Sequence, residues 1–274
     1  ARLCGRPGTS DANNVLKLGW DPLEREWPSW LEGLGVARAL LPEVVPPGTL
    51  LGPLLPTLAR RWGLTPDAVV VAGTTDSTAA ILATGASAVG DGITSLGSTL
   101  VTKVIAAEPV FAPEYGVYSQ PLGERWLVGG GSNSGGAVLS HFFTPARMRE
   151  LSTHIDPESP TGLDYYPLLS PGERFPFNDP TRAPRLSPRP QDDAVFFQGL
   201  LEGIAAIEVE AYRRLATLGA PYPQRVYSAG GGAVNEPWSR IRAKRLGVPL
   251  EPAQQTEAAY GAALLARSVE HTSF

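Results

Sequence analysis

The chain of 274 residues has a single cysteine, Cys4, which excludes an internal disulfide and a cysteine-built metal cage. Histidine is almost as scarce: His141, His154 and His271 are scattered and show no ligand spacing, so no metal-binding residues are assigned. There is no block of Lys and Arg, and the formal net charge is −4, which argues against a broad nucleic-acid surface. No apolar run approaches the roughly 18 residues that a bilayer-spanning helix needs. The opening Ala1-Arg2-Leu3-Cys4-Gly5-Arg6 lacks the apolar core of a secretory leader. These absences predict a cytoplasmic protein with neither nucleic acid nor membrane as partner.

Several catalytic signatures are missing too. No Gly-Lys dipeptide exists, so there is no P-loop. Gly90-Asp91-Gly92 is followed by Ser95 where a dinucleotide fingerprint needs glycine. Gly-x-Ser-x-Gly is absent, which removes a nucleophile elbow.

What is present is a globular composition, 43% hydrophobic and 18% charged, enough for a substantial core in one large or two modest domains. Residues 1–66 hold many prolines, three tryptophans before residue 31 (Trp20, Trp27, Trp30) and no long helical period. Asp11 lies in a polar cluster, residues 9–14, suited to a turn or a helix cap, and the tryptophans read as core. Residues 54–63 read as a short amphipathic helix.

Val69-Val70-Val71 is a β-branched run that reads as a buried strand. The chain breaks at Gly73, passes Thr74 and Thr75, and enters an Ala-rich helix from Asp76 to about residue 85. A carboxylate where a strand gives way to a helix stands where α/β proteins commonly bind ligands. The same position also suits a plain helix cap.

Residues 92–105 carry a β pattern broken by the Gly97-Ser98-Thr99 turn. Trp126-Leu127-Val128 reads as a returning antiparallel strand that ends in Gly129-Gly130-Gly131, with one helix over 135–151. The proline-rich stretch 156–192 reads as a loop, a lid or a linker. The longest helix is predicted over 192–218, with Phe196, Leu200, Ile204, Ile207 and Ala211 on one buried face. A strand over 225–229 leads into Gly230-Gly231-Gly232-Ala233. A helix over 235–246 follows, its basic residues near the C-terminal end matching the dipole. A short edge strand over 248–251 and a small-residue helix over 257–266, packing on the sheet, complete the chain. Gly97-Ser98-Thr99 offers open N–H groups and two hydroxyls, the chemistry a phosphate needs, and equally fits an ordinary hairpin turn.

Seven stretches in order carry a family resemblance. Val69 to Ala80 resembles the segment of the FGGY carbohydrate kinases that bears their catalytic aspartate, and Ser95-Leu96-Gly97-Ser98-Thr99 resembles their phosphate-contacting turn. Gly129 to Gly136 resembles their glycine-rich turn, Pro171 to Pro180 their "GER.P..D" loop, and Leu201-Glu202-Gly203-Ile204-Ala205 their "LEGIA" helix. Gly230 to Asn235 and Glu257 to Ala263 resemble the adenosine turn and the closing helix. The polar cluster with Asp11, followed by Trp27-Pro28-Ser29-Trp30-Leu31, is similar to the pentulose-kinase branch of D-ribulose and D-xylulose kinases.

The resemblance implies an α/β, actin-like ATPase (ribonuclease H-like) lobe, a mixed sheet flanked by helices. It implies residues 1–86 as the end of a first kinase lobe and 87–274 as a C-terminal, nucleotide-binding lobe, with roughly the first half of the enzyme absent. It implies transfer of the γ-phosphoryl of ATP, with Mg2+, to a hydroxyl of a small sugar, with Asp76 as base and Asp11, Asp76 and Ser77 near the sugar. It implies Thr74, Thr75, Gly97, Ser98, Thr99, Ser134, Gly135, Gly230, Gly231, Gly232 and Asn235 near the nucleotide. The expected substrate is a pentulose such as D-ribulose or D-xylulose. Two alternatives stand beside it: an inactive nucleotide-binding or interaction fragment, and a kinase for another polyol such as glycerol. A homodimer is left open.

Overall fold

Among the described residues, six of ten strands join in one mixed sheet, and the candidate nucleotide turns are hung from it. The structure, a computed structural model, describes residues 2–268. In chain order its elements are β1 (Thr9–Asp11), α1 (Ala12–Val15), α2 (Trp30–Gly33), β2 (Glu43–Val45), β3 (Leu50–Pro53), α3 (Pro56–Trp62), β4 (Val69–Val71) and α4 (Asp76–Ala83). There follow β5 (Asp91–Leu96), β6 (Leu100–Ala106), β7 (Tyr118–Leu122), β8 (Arg125–Ser132), α5 (Gly136–Phe142) and α6 (Pro145–Ser152). The chain continues with α7 (Asp193–Thr217), β9 (Arg225–Ala229), α8 (Glu236–Leu246), β10 (Leu250–Pro252) and α9 (Ala258–Ser268). No described helix is long and apolar enough to cross a membrane.

The chain divides into two compact units. One gathers the chain up to Gly85, the segment Gln120–Glu124 and the chain from Gln255; the other holds Ala86–Ser119 and Arg125–Gln254. The first break lies one residue from the expected 86/87 cut, but the last helix is grouped with the earlier residues.

In the first unit β1 and β2 pair in parallel and β3 and β4 antiparallel. Trp20 and Trp27 join Ala12, Val15 and Leu31 in a small core, and the Trp27 indole donates to the Pro42 carbonyl at 3.0 Å. Trp30 departs from the core reading, at 54% exposure. The final helix, expected against the sheet, packs chiefly on α4. The two backbones touch there, so a Cβ on Gly261 would overlap the Ala79 carbonyl.

In the second unit the strand order is β10-β9-β5-β6-β8-β7. β10, β9 and β5 are parallel; β5, β6 and β8 are antiparallel. The predicted face of α7 is buried as expected, but so are Phe197, Leu201, Ala205 and Val209, because core closes on this helix from more than one side.

Three sequence expectations change here. The glycines 129–131 do not end β8; the strand runs through them to Ser132. Bare backbone is needed because a Cβ at Gly129 would collide with the Thr102 carbonyl, and one at Gly130 would sit 2.8 Å from the Phe175 ring. The single helix expected over 135–151 is two. Phe143 is extended, Thr144 caps α6 by accepting the Arg147 N–H at 3.2 Å, and Pro145 takes the first turn. The stretch 156–192 is no loose linker. Tyr165, Tyr166, Leu168 and Phe175 are buried, and Tyr166 and Arg185 exchange two backbone hydrogen bonds at 2.9 and 3.1 Å.

A buried ion pair ties the layers together. Arg242 of α8 donates from Nε and Nη2 to the two oxygens of Glu208 on α7, both at 2.7 Å. Thr94 of β5 donates to Glu208 at 2.6 Å, and Arg242 also reaches Ser228 of β9 at 2.9 Å. Arg242 therefore does not serve the helix dipole, as its place among basic residues predicted; it is wholly buried. Removing one partner strands the other charge in the core.

Arg242→Met is expected to lose about 3–5 kcal/mol in denaturant melts, and Glu208→Met combined with it to recover most of that. A double variant as unstable as the single one would contradict this. Lys103 supplies a pH test. It is 5% exposed on β6, and burial pushes its pKa from 10.5 down to about 8. Between those values the unfolded chain holds more protons, so rising pH favours the folded state through this group. The stability gap between wild type and Lys103→Met should narrow as pH rises from about 8 to about 10; a gap that stays constant in urea melts would refute it.

Candidate functional site

Strand β5 ends at Leu96, and the turn Gly97-Ser98-Thr99 carries the chain into β6. The turn is clasped from behind by the start of α5. Gly136 N–H donates to the Gly97 carbonyl at 2.8 Å, and Ala137 N–H to the Ser98 carbonyl at 3.0 Å. Leu100 N–H donates to the Ser134 carbonyl at 2.7 Å. With its carbonyls engaged on α5, the turn leaves Ser98 and Thr99 exposed. Gly135 makes the clasp. Its φ is +144°, and a Cβ there would sit 2.7 Å from the Thr99 carbonyl carbon.

Strand β9 runs parallel to β5, Ser95 opposite Ala229, so both strands end at the same edge of the sheet. The chain turns at Gly230 (φ +85°), where a Cβ would lie 2.8 Å from the Leu96 carbonyl group. A short 3-10 turn, Gly231–Val234, leads to Asn235, which caps α8. Asn235 Oδ1 accepts the Trp238 N–H at 3.0 Å, and its Nδ2 donates to Ser152 Oγ on α6 at 2.8 Å.

Between these turns and α6 opens a cavity of about 790 Å³. Leu139, Met148, Phe197, Leu201 and Trp238 give it apolar walls; Ser98, Arg149, Thr153 and Asn235 supply polar groups. Val234, 88% exposed, stands on its lining. The size and mixed lining suit a nucleoside-sized ligand: an apolar slot for a flat base and two glycine turns where a phosphorylated chain can meet backbone N–H groups.

The aspartate belongs to the other unit. Thr75, not Asp76, caps α4, its Oγ1 accepting Thr78 N–H at 3.3 Å. Asp76 is the first helical residue and is exposed; one oxygen accepts the Ser77 N–H at 2.7 Å, and the other accepts no hydrogen bond among the described residues. Thr74 accepts from Asn13 Nδ2 at 2.9 Å, and Asn13 also donates to the Pro121 carbonyl at 3.1 Å. Asp11 is nearly buried and caps α1, accepting from Asn13 N–H, Asn14 N–H and Asn14 Nδ2.

Of the residues expected at the nucleotide, Gly97, Ser98, Gly231, Gly232 and Asn235 line the one cavity. Thr99 is exposed on the same turn, Gly230 backs the second turn, and Gly135 and Ser134 are buried behind the first. Thr74, Thr75, Asp76, Ser77 and Asp11 lie in the other unit. Met148, Arg149 and Ser152 on α6, Thr153 just after it, Phe197 and Trp238 escaped the sequence reading. The Thr144-Pro145 pair marked α6 as a separate helix and was the signal available for it. No cluster of three metal-ligating side chains occurs among the described residues.

Residues 90–268 match the model of the FGGY family of carbohydrate kinases, C-terminal domain. The chain is 27% identical over 264 residues to the xylulose kinase of Escherichia coli (strain K12), covering 88% of this chain and 52% of that protein. It is 28% identical over 287 residues to the autoinducer-2 kinase of Yersinia pestis (strain Pestoides F), covering 93% and 53%. The crystal structure of a xyloylose kinase from Brucella ovis superposes with a TM-score of 0.88 at 25% identity, covering all of this chain and 58% of that one. The fold class is therefore the expected actin-like α/β arrangement, a mixed sheet flanked by helices. The chain spans about half the length of the curated relatives it matches.

The clasp can be tested by stability. Gly135→Ala places a Cβ against the Thr99 backbone at a φ that L-residues avoid, and is expected to cost at least about 1–3 kcal/mol in thermal or urea melts. Gly231→Ala, whose Cβ meets nothing within 4 Å, should leave stability nearly unchanged. Equal melts for the two would show that the turn is not held as described.

Proposed function

The chain belongs to the FGGY family of carbohydrate kinases, and from that premise we propose that it is the nucleotide-handling part of a kinase that moves the γ-phosphoryl of ATP to a sugar hydroxyl. The proposed acceptor is a pentulose such as D-ribulose or D-xylulose, in keeping with the pentulose-branch resemblance and with a relative named xylulose kinase. The observation that carries the reading is the cavity flanked by two glycine turns at the shared edge of β5 and β9.

In this reading the purine lies between the apolar groups of α5, α6 and Trp238, with Asn235 at its edge. Nδ2 of Asn235 keeps one N–H beyond its bond to Ser152, and that donor faces an acceptor on the nucleotide. Gly231 and Gly232 admit the ribose, and Gly97, Ser98 and Thr99 take the phosphates. Gly135 and Ser134 act from behind, by shaping that turn. Thr74 and Thr75 orient phosphate or metal-bound water. Mg2+ enters with the nucleotide, held mainly by phosphate oxygens and water, as this ion prefers.

Asp76 is the base. As the sugar oxygen forms its bond to the γ-phosphorus and the β–γ bridging bond breaks, the hydroxyl proton passes to the Asp76 carboxylate and ADP leaves. The free oxygen of Asp76 is the atom for that task. Ser77 and Asp11 are the further sugar-side candidates, Asp11 holding the α1 turn as well. The single-cysteine chain fits a cytoplasmic setting.

Titration calorimetry of the 274-residue chain with MgADP and MgATP is expected to show saturable binding that the two nucleotides compete for. In a full-length protein containing these residues, Asp76→Asn is expected to lower kcat about 10²–10⁴-fold while nucleotide affinity holds. Retained turnover in Asp76→Asn on a panel of pentuloses and polyols would end the reading; the panel also decides the sugar.

A further inference from the structure

We infer that Glu173 is a positioning residue for the nucleotide site: its carboxylate fixes the bend 132–135 and, through it, the Gly97-Ser98-Thr99 turn. This rests on the nucleotide reading above.

Glu173 lies in the packed stretch 156–192, between α6 and α7, and is 2% exposed. Its two oxygens accept four hydrogen bonds. Oε2 takes Ser132 Oγ–H and Tyr166 O–H, each at 2.7 Å; Oε1 takes Asn133 N–H at 2.8 Å and Arg174 N–H at 2.9 Å. The bend is clipped from the same side by Asn133 Nδ2, which donates to the Gly172 carbonyl at 3.0 Å, and by Arg174 Nε, which donates to Asn133 Oδ1 at 2.7 Å.

A continuous line of hydrogen bonds runs from this carboxylate to the turn. Ser132 Oγ donates to Glu173 and accepts the Ser134 N–H at 2.9 Å. The Ser134 carbonyl accepts Leu100 N–H at 2.7 Å, the residue that closes the turn into β6. The next two residues after Gly135 hold the Gly97 and Ser98 carbonyls. Glu173 does not line the cavity, so any effect it has on a nucleotide passes through this line.

The site needs a carboxylate. All four neighbours are donors, and only an ionised acid accepts from all of them at once. Ser132 Oγ already accepts the Ser134 N–H, and its one hydrogen is placed on Glu173. Burial first, then the adjacent Glu173 charge, pushes the Tyr166 hydroxyl well above the usual phenol range, which keeps its proton in place as a donor. An amide at position 173 would aim N–H groups at one or both hydroxyls and leave the Ser132 hydrogen unpaired. A buried charge of this kind is a poor route to stability alone; it does give the bend one geometry.

Three variants separate positioning from general stability: Glu173→Gln, Ser132→Ala and Tyr166→Phe. Each weakens the cluster, but the Tyr166 hydroxyl bonds only Glu173 and makes no hydrogen bond to Ser132, Ser134 or the turn itself. Two readouts apply to the intact chain: amide hydrogen exchange at Leu100, Gly136 and Ala137, and MgADP affinity. Glu173→Gln and Ser132→Ala are expected to speed exchange at those amides and weaken MgADP about tenfold or more, about 1.4 kcal/mol. Tyr166→Phe is expected to lower the melting temperature yet leave both readouts within about twofold of wild type. If Tyr166→Phe matches Ser132→Ala in both readouts, or none of the three changes them, the inference is overturned. If Glu173→Gln does not fold, the Ser132→Ala and Tyr166→Phe comparison decides alone. A wild-type chain that binds no MgADP would sink the nucleotide reading, while exchange at the three amides would still decide the role of Glu173.

Discussion

The parallel pairing of β5 with β9 is the constraint on which the cavity of the second unit depends. Two parallel neighbours must end at the same edge, so the turns that follow them, one starting at Gly97 and one at Gly230, emerge side by side. Their closeness is built into the backbone: no Cβ fits between Gly230 and Leu96. Ligand sites in open α/β sheets gather at the C-terminal ends of such strands for this reason. Here the strand order places an antiparallel β6 on the far side of β5, which returns the first turn directly into the sheet. The second turn instead opens into α8, so one rim of the cavity is a hairpin and the other a helix start.

Polar groups in the interior hold this edge in register. Glu208 and Arg242 join α7 to α8 while contacting Thr94 on β5 and Ser228 on β9, the two strands whose ends form the site. Glu173 does the corresponding work on the other flank, where β8 ends and the bend to α5 begins. A hydrophobic filling of equal volume could match such groups in stability. It could not match their directionality. A bidentate guanidinium-carboxylate pair and a carboxylate with four donors each accept one arrangement of their surroundings. The apolar core supplies most of the driving force, and the polar pins decide where the turns stand.

What could be read in advance was whatever is written locally. The strand-glycine-strand pattern around Gly97, the 3.6-residue spacing on α7 and the small-residue helix near the end all have neighbours in sequence that reveal them. The Thr144-Pro145 break was equally local and was overrun by the helical run on both sides. Gly129, Gly130 and Gly131 misled because glycine usually punctuates; here it clears space for Phe175, 45 residues downstream of Gly130, and for the Thr102 carbonyl, 27 residues upstream of Gly129. Arg242 misled in the same way, since Arg240, Lys244 and Arg245 around it make a convincing basic helix end. Its real partner, Glu208, lies on another helix, and no periodicity points to it. Buried ion pairs and close backbone contacts are properties of the fold, and only motif order, through the family, anticipated that fold.

The separation of Asp76 from the cavity into different compact units has a chemical consequence. Phosphoryl transfer asks the protein for positioning and charge neutralisation more than for bond-making. The residues that line the cavity, on the turns after β5 and β9 and on α5 to α8, all belong to the second unit, and Asp76 is not among them. Transfer, by contrast, needs a carboxylate oxygen within hydrogen-bonding distance of an acceptor hydroxyl, and in the proposed reading that carboxylate is Asp76, in the first turn of α4. In the proposed reading, then, the cavity and the base belong to separate pieces of the chain. On that reading, nucleotide binding is a property of the second unit's own residues.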